Sequence, residues 1–156
     1  VFRMLEAFEY WFGPYPFYED GYKLVEAPYL GMEHQSAIAY GNGYQNGYRG
    51  KYRSESVYHS KLDYIIVHES GHEWFGNSIT AWDAADAWIH ESFTTYSEVL
   101  FTEYWFGKAA ANDYLMGYRK RIMNDRPVIG TYGINGKDNT TDRYSKGAAI
   151  LQTIRL

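Results

Sequence analysis

Residues 62–77 read LDYIIVHESGHEWFGN, and this stretch decides the fold. Within it His68-Glu69-Ser70-Gly71-His72 sets two imidazoles four residues apart with a carboxylate beside the first. On an α-helix such residues project from one face, one turn apart, so both rings can grip a single ion while Glu69 stands next to it. Leu62 to Val67 form an apolar run able to bury one side of that helix, and Trp74, Phe75 and Gly76-Asn77 supply its end. Catalytic zinc takes three protein ligands and keeps a fourth position for water, whereas a structural site is closed by four. Glu91, in a segment that again reads as helical, provides the third ligand, and the sequence offers no obvious fourth. The competing reading is a pair of histidines on a solvated helix face.

Composition bounds the rest. At 156 residues, 46% hydrophobic and 19% aromatic, the chain is long enough for one domain with a substantial core. Seventeen Tyr and five Trp predict an interior of large rings with polar edges, packing that also suits a substrate cleft. A net charge of −4 without a basic cluster argues against nucleic acid and against an anionic membrane surface. Arg119-Lys120-Arg121 reads as the solvated end of a helix. With no Cys, thiolates cannot hold the metal and the redox compartment is unreadable. No apolar run approaches the ~20 residues of a membrane span, and no signal peptide is recognised, so no membrane insertion is expected.

Met4, Leu5, Phe8, Trp11 and Phe12 recur at helical spacing and stop at Gly13-Pro14-Tyr15-Pro16. Two short strands are predicted between Tyr22 and Tyr40, then a Gly- and Tyr-rich loop over 41–60. Helices are predicted at about 61–76, 85–106 and 109–123, a loop over 124–141, and a last helix from near Asp142. Strands first and helices later indicate an α+β fold in one domain.

The motif and its sequel, Trp74-Phe75-Gly76-Asn77, Trp82-Asp83 and Trp88-Ile89-His90-Glu91-Ser92-Phe93, resemble the gluzincin (thermolysin-like) zinc aminopeptidases, the family of aminopeptidase N and leukotriene hydrolase. Gly31-Met32-Glu33-His34 resembles the family's Gly-x-Met-Glu-Asn exopeptidase motif, and Tyr144-Ser145-Lys146-Gly147-Ala148 its Tyr-x-Lys-Gly motif. Phe12-Gly13-Pro14-Tyr15-Pro16 also fits the stretch before the exopeptidase motif, so the anchors run through nearly the whole chain in family order. His34 stands where the family has Asn, and His90 and Ser92 flank Glu91 where it usually has Asn and Gly.

The resemblance implies a zinc-dependent aminopeptidase that removes N-terminal residues from peptides with a metal-activated water. His68, His72 and Glu91 would bind one zinc ion, Glu69 would be the general base, and the Tyr144 hydroxyl would stabilise the oxyanion. Glu33, with Met32 and Gly31, would bind the substrate's free amino terminus. Glu98, seven residues after Glu91 on the same helix face, would support a ligand imidazole, although an acid there is ordinarily a helix-surface charge. His34 is not expected to bind metal. The family further implies that residues 1–156 are a partial catalytic domain, with a β-rich domain before it and a helical domain after it. Those flanks would enclose the substrate and carry any carboxylate-recognising residues, so the segment alone is expected to bind zinc but hydrolyse peptides weakly. A thermolysin-like endopeptidase and a non-catalytic module with a structural zinc remain open alternatives. The compartment is left open.

Overall fold

Asp63 starts the helix on which the site is built. In the computed structural model, which describes Val1–Leu156, its carboxylate accepts hydrogen bonds from the backbone N–H groups of Ile65 and Ile66 at 3.1 and 3.3 Å. These are donors that a first helical turn leaves without partners. The same carboxylate accepts from the Asn42 amide at 2.8 Å and from the Tyr40 hydroxyl, so one side chain caps the helix and ties it to a strand. Helix α2 then runs Tyr64–Gly71, shorter than the predicted 61–76, with His72 still right-handed at φ −66° and ψ −18°. Beyond it the N–H groups of Asn77, Ser78 and Ile79 reach back five residues to His72, Glu73 and Trp74, a wider turn that ends the helix while keeping Trp74 in the core.

Three strands form where two were expected: β1 (Leu24–Glu26), β2 (Gly31–Met32) and β3 (Ile38–Tyr40). Their order is β1-β3-β2, with β1 parallel and β2 antiparallel to β3. β3 is buried and central, which leaves β2 as an edge, with Gly31 opposite Tyr40 and Met32 opposite Ala39. The 41–60 loop ends in a 3-10 turn, Val57–Lys61, whose Ser56 cap the sequence pattern did not reveal.

Helix α1 (Phe2–Phe12) buries Met4, Ala7 and Phe8, and the Phe8 ring meets Trp74 edge-on at 5.7 Å. Helix α3 (Ala87–Phe106) is the axis of the molecule, with α1, α2, α4 (Lys108–Met116) and α5 (Asp142–Arg155) packed around it. Its residues from Thr94 to Thr102 are all buried, and Ser97 and Thr102 turn their hydroxyls onto carbonyls of their own helix. The predicted helix at 109–123 instead divides into α4 and an exposed 3-10 turn at Arg119–Arg121. The 124–141 loop is anchored by buried Asp142, which accepts from the N–H groups of Met123 and Asn124 at 2.7 Å each. No helix is long and apolar enough to cross a membrane.

Gly147 sets the distance between α5 and α3. A Cβ there would lie 1.8 Å from Ser92 Oγ and 2.5 Å from Ser92 Cβ, which no rotamer change of Ser92 fully relieves. Gly147→Ala is therefore expected to destabilise the fold by about 1–3 kcal/mol, the usual cost of overpacking. Because α5 also carries Tyr144, activity should fall with stability. Urea unfolding of the variant checks the first, and an unchanged midpoint contradicts the tight crossing.

Candidate metal centre

Two helices bring the ligand-type residues together. The Nε2 atoms of His68 and His72 lie 3.6 and 3.5 Å from Glu91 Oε2, and all three atoms fall within 4.8 Å of one another. The two N···O separations approach the ~3.3 Å edge of a tetrahedron built on zinc bonds of about 2.0 Å. Glu91 Oε2 is buried and makes no hydrogen bond, a cost that a shared cation would remove. Its other oxygen accepts from the Tyr144 hydroxyl at 2.8 Å, which joins α3 to the first turn of α5.

Both rings are fixed from behind. His68 Nδ1 donates to Glu98 Oε1 at 2.7 Å, and His72 Nδ1 donates to the Phe75 carbonyl at 3.0 Å with Thr94 Oγ1 at 3.2 Å. With a proton on Nδ1, each Nε2 faces Glu91 and, once its own proton is displaced, can offer a lone pair to a shared ion. Glu98 is not the helix-surface charge such a position usually carries: it is 0% exposed. Its Oε2 accepts from Tyr114 and Tyr118 at 2.7 and 2.6 Å, so every strong acceptor direction is used within the protein. The spacing of Tyr114 and Tyr118, one turn apart, was a readable signal for such a pair; nothing in the sequence indicated its target.

Burial alone would lower His68, yet the nearby Glu91 carboxylate and the hydrogen bond to Glu98 push it up to about 10. Burial alone would raise Glu91, but His68 and His72 hold it well below the usual carboxylate range. Glu69 is raised, chiefly by burial against the offsetting charges of His68 and His72. Burial, with the charge and hydrogen bond of Glu91, lifts Tyr144 to about 12, which keeps it a proton donor at neutral pH.

A carboxylate oxygen of Glu33, one of Glu69 and a nitrogen of His72 also converge within 4.8 Å. The backbone of β2 lies directly over Glu69: a Cβ on Gly31 would come 2.9 Å from Glu69 Cγ and Oε1 and 2.7 Å from Ile65, so only glycine fits. Met32 follows on the exposed edge. The segment carrying Glu33 is held by residues the sequence did not single out. Asn77 donates to the Glu33 carbonyl at 2.9 Å, while buried Glu73 accepts from Asn77 at 3.2 Å, from the Ser36 N–H at 3.0 Å and from the Tyr15 hydroxyl at 2.8 Å. Exposed His34 lies outside both groups. His90 Nε2 accepts from the Ala81 N–H at 2.8 Å, and Ser92 donates to the Arg143 carbonyl at 2.6 Å, next to Tyr144. Two of the three residues that depart from the family pattern, His90 and Ser92, thus brace the surroundings of Glu91 and Tyr144.

A cleft of about 520 Å³ opens onto His68, Glu69, Gly31 and Tyr144. An α+β core with paired imidazoles, a buried acid facing them and a second carboxylate beside the gap is the arrangement of a metallopeptidase. The model of the peptidase family M1 domain matches residues 1–156, and the chain belongs to that family. Leucyl aminopeptidase of Saccharolobus solfataricus is 31% identical over 144 residues, covering 84% of this chain and 18% of its own length. Mouse aminopeptidase Q is 42% identical over 48 residues, 31% of this chain and 9% of its own. Two solved structures of an M1 zinc metallopeptidase from Deinococcus radiodurans each cover 98% of this chain and 31% of theirs. One has a TM-score of 0.73 at 26% identity, and the other, a mutant bound to a Tyr-Ser-Ala substrate, 0.70 at 28%. The chain therefore spans under a third of the length of these relatives.

Proposed function

We propose that residues 1–156 form a partial catalytic domain of a zinc-dependent aminopeptidase, completed by a β-rich domain before it and a helical domain after it. The observation that carries this reading is the partnerless buried oxygen of Glu91, faced by two imidazole nitrogens whose far sides are already engaged. His68, His72 and Glu91 hold one zinc ion, which when bound acts as a Lewis acid and brings a water's pKa toward neutrality. Glu98, fixed by two tyrosines, orients the His68 ring and strengthens it as a ligand.

Glu69 takes the proton of the attacking water and delivers it to the departing amine; its raised pKa moves it toward the range where a carboxylate can do both near neutral pH. Tyr144 releases Glu91 and donates to the oxygen of the scissile carbonyl as charge develops there. Glu33 pairs with the substrate's α-ammonium, while Gly31 and Met32 present the open edge of β2 to its backbone. The nearness of Glu33 to Glu69 and His72 favours an aminopeptidase, because it sets the free amine one residue from the bond to be broken.

Paired peptides that differ only in N-acetylation test this. Cleavage confined to the free-amine form is expected, faster in the chain with its flanking domains than in residues 1–156 alone. Cleavage of blocked peptides would assign an endopeptidase, and zinc binding without any hydrolysis a structural module.

Zinc must also displace a proton. Since the carboxylates of Glu91 and Glu98 raise His68 above the usual imidazole range in the metal-free protein, metal binding at neutral pH is expected to release a proton. Apparent zinc affinity is expected to rise about tenfold per pH unit between pH 7 and 9. Competition with a chelator across that range, with calorimetry in buffers of different ionisation enthalpy, measures both quantities; a pH-independent affinity contradicts the prediction.

A further inference from the structure

We propose that Arg53 and Arg121 form a carboxylate-binding subsite at the end of the cleft remote from Glu33, and that its ligand is the C-terminal carboxylate of a short peptide. The inference rests on the aminopeptidase reading for the direction in which the peptide lies. Both arginines line the cleft that holds His68, Glu69 and Tyr144. The Arg53 guanidinium is half-buried, stacked 5.0 Å from the Tyr48 ring and 5.1 Å from the Tyr64 ring. It makes no ion pair, and its guanidinium donates no hydrogen bond. The buried acid of this region, Glu98, is already committed to His68, Tyr114 and Tyr118. Arg121 is exposed and donates from Nε to the Arg53 carbonyl, which anchors it beside Arg53 and leaves its terminal nitrogens free.

One partly desolvated fork and an exposed one anchored beside it, neither with an anion in a chain of net charge −4, are placed for a ligand rather than for the fold. The spacing gives the ligand's size. Tyr64 stacks on His68 with ring centroids 5.1 Å apart and planes 16° from parallel, so one ring separates Arg53 from a candidate metal ligand. The guanidinium is therefore within about 10 Å of the His68 ring; a guanidinium–carboxylate pair takes about 4 Å of this, which leaves the reach of roughly two extended residues beyond the bond held at the metal. Glu33 stands on the His72 side and Arg53 on the His68 side, which makes the cleft acidic at one end and basic at the other. A zwitterionic tripeptide complements both ends.

The test measures binding, so that it stands apart from turnover. Calorimetry on the zinc-loaded protein carrying Glu69→Gln compares trialanine, its C-terminal amide, and Ala-Ala-Asp amide. Trialanine should bind about tenfold tighter than its amide, the ordinary value of a charge-assisted pair. That ratio should collapse toward one in Arg53→Met and shrink in Arg121→Met, with amide binding little changed. Arg121→Met keeps the test decisive if loss of Arg53 loosens Tyr64, and Arg53→Lys should recover only part of the ratio. Restored affinity for Ala-Ala-Asp amide alone, with acid and amide of trialanine equal, would replace the terminal carboxylate by an acidic side chain and overturn the stated ligand. Equal or undetectable binding of acid and amide, or a ratio that survives both arginine substitutions, overturns the subsite. Should the protein with Glu69 intact hydrolyse no peptide while the acid–amide gap persists in the Glu69→Gln form, the aminopeptidase reading fails and the subsite stands.

Discussion

Glu69→Gln should abolish peptide hydrolysis while leaving the metal in place. The amide has nearly the size of the carboxylate and keeps the close approach to Gly31 that shapes this wall of the cleft. It cannot take a proton from water. Loss of a general base lowers turnover by about 10²–10⁴-fold, and a base that also serves the leaving amine belongs at the upper end. Metal content by atomic absorption and peptide turnover should be measured on the same preparation, in the protein with its natural flanks. Zinc retained with turnover lost identifies the base. Substantial residual turnover means that the proton goes elsewhere, and the assignment of Glu69 fails.

The second large effect is expected from Glu91→Ala. This substitution removes the oxygen that faces both imidazoles and the acceptor of the Tyr144 hydroxyl in one step. Zinc sites are worth about 10–16 kcal/mol at neutral pH, so one of three ligands carries on the order of 10³-fold in affinity. Hydrolysis at limiting zinc should vanish with it. The metal-free fold should also loosen, since the Tyr144 hydroxyl loses its acceptor and His68 and His72 lose the carboxylate beside them, so affinity is read on variant protein shown to be folded by circular dichroism. Affinity unchanged in a chelator competition would move the metal off this triad, to the Glu33, Glu69 and His72 group or to none.

Much of the site was legible because its residues lie on regular elements. The His68–His72 pair needs only helical periodicity, and α2 and α3 deliver both it and Glu91. Glu33 and Tyr144 could be singled out only through the family pattern, because an edge-strand glutamate and one tyrosine among seventeen carry no signal of their own. What escaped was tertiary. Spacing on α3 put Glu98 behind a ligand imidazole, but its complete burial under Tyr114 and Tyr118 could not be read. Glu73 and Tyr15 are 58 positions apart and meet only because α1 docks beside the end of α2. The third strand escaped for a simpler reason: two residues, Gly31 and Met32, are too few to alternate. Helix boundaries shifted at Gly71 and Met116, where wider or tighter turns satisfy the backbone that the apolar pattern had assigned to a continuing helix.

From Thr94 to Thr102, α3 meets protein on every side. Such a span has no free face on which variation could accumulate without penalty, so the floor that carries Glu98 is the part of this scaffold least open to retailoring. A descendant or a designer seeking a new peptide preference must work instead on the rims, the two-residue ribbon over Glu69 and the loops flanking the arginines, where side chains can be exchanged without shifting the central rod.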